Sequence, residues 1–463
     1  MNSSMKKVVV LGAGQSSPAL IKYLLDNSGH YGWFVTVCDR DLELAQKRIN
    51  GHPNGMAVEF DVTDEAMRHS QIKSADVVIN FLAPKFQYLI ALDCLNFGKH
   101  MISASYEDIR IQDLNKDAVR KGVLILNEMG LDPGIDHMSA MKVIDSVKKK
   151  GGKIKSFISY GSGLPAPEVN ANPLNYCITW NPRNVVMAGE TGAQYMENGK
   201  IKILPHYEIF QRTWRVEIEN IGVLEAYPNR DSLIYKKIFD LPEVHTMIRG
   251  TLRYPGWSET WNQIVKLGLP NENIQIPDLH KKSYAEFTEM FLPLNVSGPK
   301  LEQRIANFLN ISPTGGIMEK LRWLGLFSND KIKGKLKTPA EVMTKILKSK
   351  MPLPEGARDM VIIAHEIIAE FPNNGGDQKI KSTLVRFGTP NGDTAIAETV
   401  GLPAAITAKL LLTNDMPVVG TQIPTNHIIY TKVLKELEEL GIKFVEKKYR
   451  KKTPIPPKKD TMF

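Results

Sequence analysis

The sequence predicts an α/β protein with a doubly wound parallel sheet at its N-terminal end. Three observations lead there. Short β-branched runs alternate with helical patterns through the first 130 residues. A Gly-x-Gly follows the first run at once. The composition then changes at Asn127–His137 (N-E-M-G-L-D-P-G-I-D-H), after which Gly, Pro, Tyr and Trp are prominent.

The elements follow in order. Lys7–Leu11 (K-V-V-V-L) reads as a strand buried on both faces. Pro18 opens a helical pattern over Ala19–Leu25, as proline in a first turn does. Phe34–Cys38 is a second strand ending at Asp39, Leu42–Ile49 a helix, and Ala57–Phe60 a third strand ending at Asp61. Ala75–Leu82 is a fourth strand, Gln87–Asn96 a helix and His100–Ser103 a fifth strand. Asp113–Lys121 is helical and Val123–Asn127 a sixth strand. From Lys153 the pattern is mixed, with an alternating strand at Lys153–Tyr160 and loops around arginines.

Totals narrow the function classes. A chain of 463 residues exceeds one ordinary core, so at least two domains are expected. No wholly apolar run reaches the roughly 18 residues that span a bilayer, and Met1–Lys7 leads into no secretory pattern. We therefore expect a cytoplasmic protein with no membrane partner. Three scattered cysteines, Cys38, Cys94 and Cys177, suggest neither a disulfide framework nor a metal site. The net charge of +9 is concentrated at the C-terminus, in Lys447, Lys448, Arg450, Lys451, Lys452, Lys458 and Lys459. With Pro454, Pro456 and Pro457 beside them, residues 446–463 read as a solvated, mobile tail rather than a nucleic-acid surface.

Gly12-x-Gly14 stands where a dinucleotide-binding loop belongs, after a strand and before a helix. Gly12 permits the tight turn, and Gly14 lets backbone approach a pyrophosphate at the helix N-terminus. Gln15 and Ser16 complete the loop; Ser17 replaces the usual third glycine. Asp39, 25 residues after Gly14, suits the adenosine ribose hydroxyls and favours NAD; Arg40 beside it leaves NADP possible. Asp61 is either an adenine-edge contact or a strand-end cap. Leu82 (fourth strand), Ser105 and Tyr106 (fifth) and the Asn127–His137 loop (sixth) should line one crevice beyond the strand ends. Downstream, Arg183, Arg230, Arg249 and Arg253 suit carboxylate recognition, because guanidinium forks bind carboxylates bidentately.

At these residues the chain resembles saccharopine dehydrogenase of the L-glutamate-forming type. The motifs are G-L-D-P-G-I-D-H at Gly130–His137, G-L-P-A-P-E at Gly163–Glu168, Y-P-N-R-D-S at Tyr227–Ser232, R-G-T-L-R-Y at Arg249–Tyr254 and T-V-G-L-P-A-A-I at Thr399–Ile406. The resemblance implies a Rossmann domain over 1–130 and a larger mixed α/β substrate domain over 131–398, with a helical insertion around 270–356. It implies that 399–445 return to the first domain, that Leu434–Leu440 form a helix there, and that the protein is a homodimer. It further implies NAD(P)-dependent oxidation of saccharopine to L-glutamate and 2-aminoadipate 6-semialdehyde, or the reverse. Two departures stand out. Gly161-Ser162-Gly163 lacks a cysteine the family often carries, and Ala83-Pro84-Lys85 lacks its tyrosine and histidine.

The chemistry needs a group that takes a proton from the substrate amine and later protonates the departing nitrogen. Asp132 is the first candidate, with Lys85 and Tyr106 secondary; His137 is expected to start the next helix and Asp136 to cap it. Ser105, Asp132, Gly134, Arg230, Thr251 and Arg253 are the substrate-contact candidates. Two rival functions stay open: a carboxynorspermidine- or homospermidine-type amine dehydrogenase, and a non-catalytic nucleotide-binding protein.

Overall fold

The computed structural model describes residues 5–169, 172–372 and 376–450. The N-terminal sheet is built from β1 (Lys6–Leu11), β2 (Trp33–Asp39), β3 (Gly55–Glu59), β4 (Val77–Asn80), β5 (His100–Ser103) and β6 (Leu124–Leu126), joined late by β15 (Gly420–Gln422). The order is β15-β6-β5-β4-β1-β2-β3, with parallel pairing throughout. Val8, Val9, Val10 and Leu11 are each fully buried, as an inner strand covered on both faces must be. Register sets Leu11 against both Cys38 and Asn80, and Asn80 against Ser103, so these strands end in one line. That alignment creates the crevice expected at the carboxyl edge of such a sheet. A helix at Glu65–Ser74, capped by Asp64 through the Met67 N–H at 3.0 Å, was not anticipated. Its apolar periodicity is weak, since Arg68 and Ile72 are its buried residues.

The second sheet contains β7 (Lys153–Pro165), β8 (Ala193–Glu197), β9 (Lys200–Leu204), β10 (Trp214–Ile218), β11 (Gly222–Pro228), β12 (Thr246–Arg253), β13 (Asp359–Phe371), β14 (Gly376–Phe387) and β16 (Val445–Arg450). Its main path is β10-β11-β12-β7-β13-β14-β16. β7 and β12 are parallel, setting Thr251 against Gly161, whereas β13 runs antiparallel to β7. Between residues 270 and 356 lie the helices Tyr284–Glu289, Leu301–Leu309, Gly316–Trp323 and Pro339–Lys350. They bury Phe287, Ile305, Met318, Leu321 and Leu347 beneath the sheet's far face.

The segment expected to form a mobile tail is corrected over 446–450: these residues belong to β16, an edge strand antiparallel to β14. Residues 445–449 are all exposed, so no alternation of apolar residues marks the strand. Lysines suit an edge strand, because they deter further pairing, and Lys447 forms an ion pair with Glu219. Residues 451–463 lie outside the described residues.

Helix Ala395–Leu412 ties the two sheets together. It is long and apolar enough to cross a membrane, yet 78% of its length is buried inside the protein. The expectation from apolar runs missed it because Glu398 and Lys409 interrupt the run. A Cβ on Gly401 would stand 2.9 Å from the Leu20 backbone nitrogen, so glycine permits close packing on helix Pro18–Tyr31. Helix His427–Glu439, longer than the expected Leu434–Leu440, packs beside it and contacts Ile135–Lys149.

The start of Ala395–Leu412 is held by Thr394, which accepts the Ala397 N–H at 3.0 Å. Buried Asp359 accepts the Ala395 and Ile396 N–H groups at 2.6 and 3.1 Å. Asp359→Ala would strand two buried donors, at a cost of about 2–3 kcal/mol. We expect a clear drop in the thermal midpoint by calorimetry; an unchanged midpoint would refute this role.

Candidate active site

The crevice begins at the glycine loop. Gly12 has φ of +107°, and a Cβ there would meet the Phe81 carbonyl oxygen at 2.9 Å. Gly14 faces open space, with nothing within 4 Å of a Cβ. Exposed Gln15 and half-buried Ser16 continue the loop, and the Ser17 hydroxyl donates to the Gly14 carbonyl at 2.9 Å. No side chain caps the helix Pro18–Tyr31, so its first N–H groups remain open toward the loop. This is a fitting cradle for a pyrophosphate. Arg48, which sequence reasoning passed over, donates from Nε to the Ala13 carbonyl at 3.1 Å and props the loop from behind.

Asp39 ends β2 as expected. Its Oδ2 accepts the Ala13 N–H at 2.7 Å and its Oδ1 the Asp41 N–H at 3.0 Å, which fixes the carboxylate beside the glycine loop. Asp61 settles on the cap alternative: it accepts Arg40 Nη2 at 2.8 and 3.0 Å, and the Thr63 amide and hydroxyl at 2.8 and 2.7 Å. Those donors hold its carboxyl well below the usual range, the Arg40 hydrogen bond most of all. Leu82 follows β4, its N–H bonded to Asn80 Oδ1 at 3.2 Å.

Beyond β6 the loop turns sharply into helix Ile135–Lys149. Gly134, at φ +145°, could carry no side chain, since a Cβ would lie 2.0 Å from the Gly130 carbonyl oxygen. The turn places Asp132 over β7 and β12. There a Cβ on Gly161 would come within 2.6 Å of Asp132 Oδ2. Asp132 accepts the Tyr106 hydroxyl at 3.2 Å and a hydrogen bond from Arg249 Nη2. Arg249, only 5% exposed, also reaches Asp136 at 3.2 Å and donates from Nη1 to the Tyr235 hydroxyl at 2.6 Å. It is therefore an internal counter-ion rather than a free carboxylate binder. Burial drives the Asp132 carboxyl above its ordinary value, outweighing the opposing pull of Arg249. Burial likewise raises Tyr106, so its phenol stays protonated.

The expectation that Asp136 caps the helix is corrected: Gly134 is the N-cap, without a side-chain cap, and Asp136 accepts the Gly134 N–H at 2.7 Å from within the first turn. It also bonds His137 Nδ1 at 2.6 Å. His137 Nε2 then faces Glu128 Oε2 at 3.4 Å. Glu128 and Arg249 as members of this cluster were not visible beforehand, because nothing local in sequence marks either pairing.

The remaining candidates fall into two groups. Ser105 lies beside the cluster, its carbonyl accepting Glu128 N–H at 3.0 Å and Gln87 Nε2 at 3.3 Å. Exposed Arg230, at φ +52°, extends over the Tyr106 ring at 5.5 Å. Half-buried Thr251 sits on β12 between the two arginines of its motif. Arg253 is buried against Tyr176 and Trp257, with Nη1 bonded to Ser162 at 3.0 Å and to the Leu252 carbonyl at 2.8 Å. Its Nε has no hydrogen-bond partner. Ser162 thus anchors Arg253, and the cysteine that the family often carries would stand one residue earlier, at Gly161. Two expectations are corrected. Lys85 is exposed and its Nζ lies over the Phe86 ring at 4.8 Å, outside the Asp132 cluster. Its helical turn, Pro84–Phe86, points it to solvent. Arg183 pairs with Glu272 on the surface, among the helices after residue 270.

Comparisons with known proteins agree with this geometry. Residues 8–126 match the saccharopine dehydrogenase NADP binding domain, and residues 130–442 the saccharopine dehydrogenase C-terminal domain. The chain is 32% identical over 449 residues to saccharopine dehydrogenase (NADP(+), L-glutamate-forming) of Schizosaccharomyces pombe, covering 96% of this chain and 99% of that one. The counterpart from Pyricularia oryzae is 33% identical over 459 residues, with the same coverage. Mouse mitochondrial alpha-aminoadipic semialdehyde synthase is 31% identical over 446 residues, which are 96% of this chain and 48% of that protein. The apo saccharopine dehydrogenase (L-Glu forming) structure from Saccharomyces cerevisiae matches with a TM-score of 0.85 at 32% identity, covering 96% of this chain and all of that one. With both halves matched in order and a fold that coincides, this chain belongs to the saccharopine dehydrogenase family.

Proposed function

We propose that the protein oxidises saccharopine to L-glutamate and 2-aminoadipate 6-semialdehyde, or runs the reverse reduction, as an enzyme of lysine metabolism. The observation that carries this reading is the position of Asp132. It is an acid with its proton affinity raised by burial, held between the glycine-loop crevice and a wall bearing Arg230 and Arg253. The relatives' printed activities support it.

Gly12, Gly14, Gln15 and Ser16 would hold a pyridine nucleotide, which would supply the hydride acceptor. The substrate's secondary amine must lose a proton before it can lose hydride, and Asp132 is placed to accept that proton. The Tyr106 hydroxyl and Arg249 hold Asp132 in one orientation, so little reorganisation precedes transfer. Water attacks the resulting imine carbon, and Asp132 returns a proton to the nitrogen that departs with glutamate. Saccharopine carries three carboxylates. Arg253, a buried cation with an unused Nε, and Arg230 at the rim suit two of them. Ser105 and Thr251 supply neutral donors nearby, and Gly134 keeps the loop close to the ligand.

We further propose NAD as the preferred nucleotide, although the fungal relatives are named for NADP. Asp39 is fixed beside the loop where an adenosine ribose would lie, and Arg40 is engaged by both oxygens of Asp61. A 2′-phosphate would meet the Asp39 carboxylate and would have to displace Asp61 from Arg40. The reading also takes the protein as a cytoplasmic homodimer, without membrane or nucleic-acid partners.

Two measurements test these readings. Asp132→Asn should lower kcat with saccharopine by about 10²-fold or more and leave nucleotide binding intact; wild-type turnover would remove Asp132 from the mechanism. Steady-state assays should give a kcat/KM for NAD about tenfold above that for NADP, a difference of about 1.4 kcal/mol. Preference for NADP would overturn the role given to Asp39.

A further inference from the structure

We propose that His137, held as an imidazolium between Asp136 and Glu128, is a positioning residue for the reaction: it fixes the Asp136 carboxylate that braces Arg249, and through Arg249 it sets the place and charge of Asp132. The inference rests on the reading of Asp132 as the proton carrier.

The geometry is specific. His137 is completely buried at the start of helix Ile135–Lys149. Its ring makes T-shaped contacts with Tyr235 and Phe239, with centroids 5.1 and 5.6 Å apart, so the imidazole cannot turn freely. Its Nδ1 is 2.6 Å from Asp136 Oδ1, close enough for a charge-assisted bond. Its Nε2 and Glu128 Oε2 face each other at 3.4 Å, and neither has a hydrogen-bond partner. A neutral imidazole with its proton on Nδ1 would set a lone pair against a carboxylate, whereas an imidazolium presents N–H to both acids. Glu128 is brought there by a backbone at φ +62°, a conformation that non-glycine residues rarely adopt. Strain of this kind concentrates at functional sites.

Charge balance points the same way. Asp132, Asp136 and Glu128 are three buried carboxyl groups; Arg249 pairs with the two aspartates and Glu128 meets His137, while burial raises the Glu128 carboxyl against the pull of His137. A second positive charge from His137 nearly neutralises the group, while a neutral His137 would leave excess negative charge without solvent. Every titratable neighbour can be assigned. Asp136 on the same helix and Glu128 on the preceding loop favour the imidazolium, and Arg249 on β12 disfavours it. Asp132 adds negative charge from the loop, while Tyr106 and Tyr235 stay neutral because burial raises both phenols. His365 on β13 is pulled down to about 4 by burial and is neutral. Burial works against charge on His137, but the two acids outweigh it and hold its proton more tightly than usual.

His137→Gln keeps two polar ends and removes the charge. His137 is among the groups that favour the ionised form of Asp132, so its loss makes Asp132 hold a proton to higher pH. The acidic limb of kcat/KM for saccharopine should then move upward by about one pH unit. A space-filling histidine predicts a lower melting temperature with that limb unmoved, and that result overturns the proposal. Nuclear magnetic resonance of wild-type protein with 15N-labelled histidine tests the charge without any variant or turnover. One imidazolium signal should persist above the ordinary histidine range. If every histidine loses its proton within that range, the proposal fails. Absence of saccharopine turnover by wild type would instead refute the substrate reading, and the resonance result still decides the state of His137.

Discussion

One guanidinium organises the centre of the molecule. Arg249 comes from a strand in the second sheet; of the acids it binds, Asp132 comes from the loop that leaves the first sheet and Asp136 from the first turn of the helix that follows. An unpaired arginine in such a buried position would cost several kcal/mol, so the two domains cannot separate here without exposing or stranding it. The same contact orients Asp132 relative to the substrate wall. Domain assembly and active-site assembly are thus a single event, and Gly161, lacking a side chain, leaves room for it.

The surroundings follow from that constraint. The Tyr235 and Tyr106 hydroxyls accept further hydrogen bonds from the guanidinium. Behind them Ser139 and Ser159 bracket neutral His365 at 2.8 and 3.0 Å. Polar pairing gives way to apolar packing only beyond this layer, at Phe157, Phe239 and Phe444.

Local features were legible in the sequence and long-range ones were not. Val8–Leu11, the Gly12 turn and Asp39 at the end of β2 depend on neighbours in the chain, and all lie where periodicity and spacing put them. Asp132 was found because glycine and proline mark its loop as irregular. Its partner Arg249 is 117 residues away, and only the parallel pairing of β7 with β12 brings it near. Glu128 could not be read because its role depends on a left-handed backbone at an ordinary residue. β16 differs for another reason: seven cations in one stretch suggest solvent, and residues 445–449 are indeed exposed, but their backbone pairs with β14. Lys85 was misjudged because strand order identifies the right edge of a sheet but not the direction of a side chain beyond it.

The return of the chain's C-terminal segment to the first sheet has a consequence for biosynthesis. Leu20, Ile21 and Leu24 of helix Pro18–Tyr31 share a core with Ala404, Ala405 and Ala408 from helix Ala395–Leu412. The parallel edge at β6 is completed only by Gly420–Gln422. A ribosome that has made the whole nucleotide-binding half has still not made its lid or its final strand. That half must wait, greasy and open-edged, for more than 250 further residues to emerge. The nascent chain is most exposed to misassociation during that interval, and early termination would leave an adhesive fragment rather than a small working domain.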